Sequence, residues 1–310
     1  MDLFENLSDK QIEAVKTIDE DLEIIACAGA GKTGVVTRRI INILKSNPNI
    51  LPENIVAFTF TEKAAEELKS RVYKYGEAVL GNTKGFANMY IGTIHGFCLK
   101  MLQEYIVQFQ KFTVLDEIKT KKYIEKNYNF CGMKDLGLKI YTETNLFLSV
   151  ISTLNENWFE RDRWDEKTRN AVDKYKDTFY RKNYFDYSLI MQEMLNQLEN
   201  NKDFADIILN KIKYLTVDEY QDTNPIQERL IRFIKQGGCN LCIVGDDDQT
   251  IYQFRGSDPE NILTFRERYG INKYIVLGTD YRSSEAIIDV AKRVIVNNTK
   301  RLPKVMESGA

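Results

Sequence analysis

A chain of 310 residues, with 43% hydrophobic and 28% charged side chains, is long enough for two domains and at least one well-buried core. Its formal charge of −2 offers no bulk attraction to nucleic acid, so any such surface has to be local. Apolar runs stay short of the roughly 18 residues that a membrane-spanning helix needs. The opening MDLFENLSDK has no apolar signal region, and five scattered cysteines form no disulfide framework, so the expected setting is cytoplasmic and reducing, with no membrane partner.

In chain order, Ser8 is placed to cap a helix through LSDKQIEAV. Strand-like runs follow at 23–27 (EIIAC) and 55–60 (IVAFTF). A helix is expected over 61–80, started by Thr61 and carrying carboxylates in its first turn. Another strand fits 89–94 (MYIGTI). From about 95 to 186 the chain is rich in Lys, Tyr and Asn and reads as helical with almost no strand signal, which suggests an inserted subdomain rather than a loop. Strands resume at 214–219 (YLTVDE), 240–246 (NLCIVGD) and 273–278 (KYIVLG). These runs are continuous rather than alternating, as in parallel strands buried on both faces, and their alternation with helices predicts a doubly wound α/β fold. Cys239 and Cys242 have CxxC spacing but no second pair, and read as small buried residues at a strand entrance.

The segment ACAGAGKT, Ala26, Cys27, Ala28, Gly29, Ala30, Gly31, Lys32 and Thr33, leaves a strand and opens a helix. Such a loop aims backbone N–H groups and a helix dipole at one point, which suits phosphate. Gly29, Ala30 and Gly31 would wrap the phosphates, Lys32 would neutralise their outer oxygens, and Thr33 would ligate Mg²⁺. Ala26 stands where many phosphate loops have their first glycine, and is tolerable there if its dihedrals are β-like. Asp218 and Glu219 end a second apolar run. Beside a phosphate loop they suit phosphoryl transfer, Asp218 holding Mg²⁺ and Glu219 polarising water; alone they are a carboxylate pair at a strand end.

LSDKQIEAV, ACAGAGKT, FTFTEKAAEEL, GTIHGF, VDEYQDTN, VGDDDQTIYQFRG and DYRS occur in this order over nearly the whole chain. In this the sequence resembles the UvrD/Rep-like superfamily 1 DNA helicases. The resemblance implies a RecA-like P-loop NTPase domain with a mostly parallel sheet, using ATP and Mg²⁺. It also implies that Gln11 meets the adenine edge, Tyr281 stacks on adenine, Arg282 reaches the γ-phosphate and Gln249 senses that phosphate. The plainer alternatives are a polar helix position after the Ser8 cap for Gln11, and a helix-start arginine making surface pairs for Arg282.

For single-stranded DNA, the resemblance points to Phe60, His95, Tyr252 and Phe254 against the bases. Thr61, Thr93 and Arg255 match positions for the phosphates. Stacking a base on an aromatic ring is worth about 1–3 kcal/mol whatever the sequence. Core packing of the aromatics and a capping role for His95 are the plainer alternatives. Three positions depart from the family's habit: Gly34 where many relatives have Arg (Arg38 lies one turn on), Phe254 for Trp, and Gln253 where Arg is frequent.

The implied organisation is a RecA-like ATP-binding domain of residues 1–94 and 186–280, a helical insertion of 95–185, and the start of a second motor domain at 281–310. With that second domain missing, the piece is expected to turn over ATP hardly at all. The expected function is ATP-driven 3′→5′ movement on single-stranded DNA or junctions with duplex, among repair or recombination partners. Alternatives are a nucleotide-gated interaction switch and the motor half of a helicase–nuclease.

Overall fold

The computed structural model describes residues 2–156, 161–253 and 256–309. Two compact units emerge, one of residues 1–94, 207–223 and 231–310, the other of 95–206 and 224–230.

The first unit is built on six strands: β1 (Leu22–Ala26), β2 (Ile55–Thr59), β3 (Tyr90–Thr93), β6 (Tyr214–Val217), β7 (Asn240–Gly245) and β8 (Tyr274–Leu277). The short pieces β4 (Thr113–Val114), β5 (Tyr184–Phe185), β9 (Thr279–Asp280) and β10 (Glu307–Ser308) lie outside this sheet. The sheet order is β3-β2-β6-β7-β1-β8, and every pairing within it is parallel. Each of the six coincides with a strand expected from an apolar run; β1 begins and ends one residue earlier than expected, and the others are trimmed by one or two residues at one or both ends. Every residue of β1 and β2 is buried, which is why these strands show no alternation.

Helix α1 (Asp9–Lys16) opens with a reciprocal cap, in which Ser8 Oγ accepts from Gln11 N–H and Gln11 Oε1 accepts from Ser8 N–H. Helix α2 (Lys32–Ser46) begins directly after the glycine-rich loop. Helix α3 (Glu62–Leu80) starts where Thr61 Oγ1 accepts from Ala64 N–H and ends at left-handed Gly81. Between these helices and the sheet, Val36 and Ile40 of α2 and Leu68 and Val72 of α3 join Ile24, Ala57 and Ile275 in one apolar cluster. Burying each of the larger side chains is worth about 1.5–3 kcal/mol, and the sum holds the loop at the carboxyl end of β1 in place.

Helices Ile94–Tyr105, Glu117–Lys126, Thr144–Glu156, Glu166–Tyr180 and Tyr187–Asn200 account for most of the second unit, with β4 and β5 forming a two-residue parallel ladder. Phe109, Phe112, Tyr180 and Phe185 pack ring against ring beside that ladder. Below them Tyr175 donates to the buried carboxylate of Asp186, whose other oxygen caps the helix Tyr187–Asn200 and accepts from Ser188. Asn155 donates to Ser188 and accepts from Gln192, completing a buried polar chain. The expected insertion stops at 185, whereas this unit continues through the helix 187–200, which packs on Thr144–Glu156.

Residues 281–310 group with the first unit. β10 pairs with β9, and the preceding segment returns to the sheet edge, where the Lys304 side chain is only 3% exposed and pairs with Asp246, Asp247 and Asp248. The last helix, Glu285–Ile295, leaves Ile287, Val290 and Val294 exposed.

Candidate functional site

β1 and β6 both deliver their carboxyl ends to the same sheet edge, with β7 between them. After β1 the loop 27–31 turns through left-handed Gly29 (φ +71°) and Gly31 (φ +78°) into α2. Lys32 opens α2, and its ammonium lies 2.9 Å from Glu219 Oε2. Glu219 takes an uncommon left-handed conformation for a side-chain-bearing residue (φ 51°, ψ 45°), and its N–H donates to Asp218 Oδ1 at 3.0 Å. The β6 edge thus turns sharply and presents both carboxylates where the α2 dipole is positive.

Burial, then the neighbouring charge of Glu219, lift the Asp218 carboxyl to about 6 against the pull of Lys32. The same causes lift Asp222 to about 6. Acids crowded and desolvated in this way, beside Lys32, offer hard oxygen ligands of the kind that a divalent cation takes. Thr33 is the second residue of α2, directly after Lys32.

Around the loop, Gln11 is buried and donates from Nε2 to the Ala30 carbonyl at 3.0 Å. Tyr281 N–H donates to the Gly29 carbonyl at 3.1 Å, and Asp280 Oδ1 accepts from the N–H groups of Arg282 and Ser283. Ser8, Lys10, Gln11, Ala30, Gly278 and Tyr281 line a cavity of about 250 Å³ against the loop. Tyr281, part of that lining, and the adjacent Arg282 are both exposed. Ala26 ends β1, and Cys27, whose N–H donates to the Leu277 carbonyl, has a thiol pushed up to about 11 by burial and by Asp246 and Asp280, so it stays protonated. Ala28 follows it in the loop.

Gln249 donates to Asp246 Oδ2 after β7. Two of the expected base-contacting rings meet: Phe60, after β2, and Tyr252 stack with centroids 5.0 Å apart and planes inclined by 27°. Both are half-buried. Thr61 spends its hydroxyl on the α3 cap, and Thr93 donates to Glu62 Oε1 at 2.8 Å. His95 belongs to the second unit, where burial pushes its imidazole down to about 4 and Tyr187 packs edge-on at 5.4 Å. Phe254 and Arg255 lie outside the described residues. Arg38 does not face the cavity: its guanidinium donates to the Glu5 carbonyl and lies 4.8 Å from the Tyr75 ring centre.

Sequence reasoning assigned no role to Gln221, Asp222, Asp280 or Lys304. The first three sit inside quoted motifs and were findable as polar residues one to three positions from assigned ones. Lys304 has no local signature. Cys239 and Cys242 are both buried, their thiols raised by burial, in keeping with a packing role.

A parallel α/β sheet with a glycine-rich loop, a lysine opening the next helix and an acidic pair on a neighbouring strand defines a RecA-like domain of the phosphate-loop class. Residues 7–270 match the UvrD/REP helicase N-terminal domain, and the chain belongs to this family. It is 34% identical over 316 aligned positions to ATP-dependent DNA helicase PcrA of Staphylococcus aureus, and 34% identical over 313 to that of Staphylococcus epidermidis. In each case the alignment covers 97% of this chain and 41% of the relative, so the chain spans about two fifths of the length of these relatives. No helix among the described residues is long and apolar enough to cross a membrane.

Proposed function

We propose that this chain is the ATP-binding N-terminal region of an ATP-dependent DNA helicase that moves 3′→5′ on single-stranded DNA or at junctions with duplex, in repair or recombination in the cytoplasm. The observation that carries the reading is the convergence of Lys32 and Glu219, 2.9 Å apart, with Asp218 beside them at one sheet edge.

Lys32 and the α2 N-terminus would meet the outer phosphates, and Gln11 and Tyr281 the base, in the cavity they already line. Held by Thr33 and Asp218, magnesium would neutralise phosphate charge. Once Lys32 turns to phosphate, the Glu219 carboxylate is released to accept the proton of water as its oxygen bonds to the γ-phosphorus and the bridging P–O bond breaks. Arg282 and Gln249 supply donors for the charge that develops. The stacked Phe60 and Tyr252 offer an aromatic step for bases, and Thr61, Thr93 and Arg255 suit the backbone.

Two measurements on the 310-residue chain test this. Titration calorimetry should show Mg·ATP binding that Lys32→Ala abolishes. Anisotropy of a labelled oligo-dT should show binding weakened roughly 5–150-fold by Tyr252→Ala or Phe60→Ala, from about 1–3 kcal/mol per stacked base. Binding of Mg·ATP unaffected by Lys32→Ala, or oligonucleotide affinity indifferent to both rings, rejects the corresponding half of the proposal.

A further inference from the structure

Gln221 is 1% exposed and bonded at both ends of its amide. Its Oε1 accepts from the backbone N–H of Asp246 at 3.1 Å, which fixes the amide's orientation and leaves Nε2 to donate to Glu219 Oε2 at 2.8 Å. Gly245 leaves room for this: a Cβ there would lie 2.7 Å from Gln221 Oε1 and 2.6 Å from Ile262 Cδ1. Asp246 is itself immobilised, its carboxylate taken up by Lys304 at 2.8 Å and by Gln249. A continuous polar chain therefore runs Lys32–Glu219–Gln221–Asp246–Gln249, across the carboxyl ends of β1, β6 and β7.

We propose that Gln221 is a positioning residue for hydrolysis: it holds Glu219 Oε2 so that Oε1 faces the attacking water after Lys32 has moved to phosphate. The inference deepens the ATP-hydrolysis reading and rests on it. Lys32 and Gln221 share the same carboxylate oxygen, so of these two donors only Gln221 stays with Glu219 in the nucleotide-bound state. A buried amide with both ends satisfied has one low-energy orientation, and it transmits the position of the β7 turn to the carboxylate. Misplacement of a reacting group by about 1 Å costs on the order of 100-fold in rate, whereas ground-state binding, made by Lys32 and the loop, is left alone.

The test is single-turnover hydrolysis of Mg·ATP by excess 310-residue chain, followed long enough to read the slow turnover expected of it, with Mg·ATPγS affinity measured alongside. Gln221→Met keeps the volume and removes both hydrogen bonds. The expected result is a rate reduced roughly 10–100-fold with affinity within threefold of wild type. Gln221→Glu keeps the acceptor for Asp246 N–H. Its rate should fall at pH 8 and recover toward pH 6, where the new carboxyl, facing Glu219, Asp222 and Lys32, is protonated and donates again. A rate unchanged in both variants overturns the proposal, as does an affinity loss matching the rate loss. If Gln221→Met fails to fold, the pH profile of Gln221→Glu decides alone. Mg·ATPγS affinity equal in wild type and Lys32→Ala instead overturns the underlying ATP reading.

Discussion

A Cβ on Gly29 would lie 1.8 Å from Asp280 Oδ1, so the phosphate loop and the turn after β8 meet with no space for a side chain. Gly29 also has φ +71°, a conformation that costs an L-residue about 1–2 kcal/mol. Gly29→Ala is therefore expected to lower the melting temperature and weaken Mg·ATP binding at least tenfold, as the 280–283 turn is pushed off the loop. Adding Asp280→Ser should restore part of the melting temperature. Scanning calorimetry with and without nucleotide checks both. A Gly29→Ala protein that melts and binds as wild type would remove the steric argument.

Glu23 is the second residue of β1, fully buried, with Arg266 Nε 3.0 Å from its carboxylate. Desolvation outweighs that pairing and raises its pKa from 4.5 to about 7. The folded value lies above the unfolded one, so its contribution is fully present below pH 4.5 and is lost as pH rises through about 7. The shift corresponds to about 3 kcal/mol. Glu23→Gln should leave stability at pH 5 nearly unchanged and increase it by up to that amount at pH 8. Urea unfolding of both proteins at the two pH values isolates this group from Asp218 and Asp222, which titrate in the same sense. Equal pH dependence in the two proteins would show that Glu23 is not the group responsible.

At Gly34 an added Cβ meets only Arg38 Nη1, at 3.4 Å, so a longer side chain is sterically admissible. Arg38 itself is committed to Tyr75 and Glu5. Gly34→Arg should tighten Mg·ATP binding roughly 2–30-fold by placing a cation over the base, from about 0.5–2 kcal/mol of cation–π attraction. Calorimetric titration reads this directly, and an unchanged Kd counts against residue 34 facing the base.

In the second unit, Tyr175→Phe removes the hydroxyl that Asp186 accepts from but leaves the ring against Phe179, 4.7 Å between centroids. Asp186, already raised by burial, would rise further without that donor. A loss of about 1.5–3 kcal/mol is expected, as for a hydrogen bond to a charged group. Amide exchange should quicken first in 187–200, the helix that Asp186 caps. Exchange left at wild-type rates would mean that the capping carboxylate does not need its phenol partner.

Much of this was legible before any coordinates. Six strands were found because burial on both faces writes a continuous apolar run, and α3 because Thr61 marks its start, with a carboxylate in the first turn. The meeting of Lys32 with Glu219, beside Asp218, was legible because each follows a parallel strand at the same sheet edge. The partner of Glu23 was not legible, since nothing local says that its carboxylate faces Arg266, far along the chain. The limit of the helical unit was hidden as well, because Tyr187–Asn200 is apolar on enough of its surface to fit either unit. Lys304 was invisible for a related reason: three aspartates after β7 and a lysine near the end of the sequence are joined only by the folded sheet edge.

The strand order carries a kinetic implication. β2 lies between β3, which ends at Thr93, and β6, which begins at Tyr214, so a long stretch of chain must be looped out before β6 can add to the sheet. Closing a longer loop adds only about 0.6 kcal/mol per doubling, but such long-range pairing slows folding strongly. During refolding, helical signal should therefore return well before Glu219 reaches Lys32, and nucleotide affinity should be among the last properties regained.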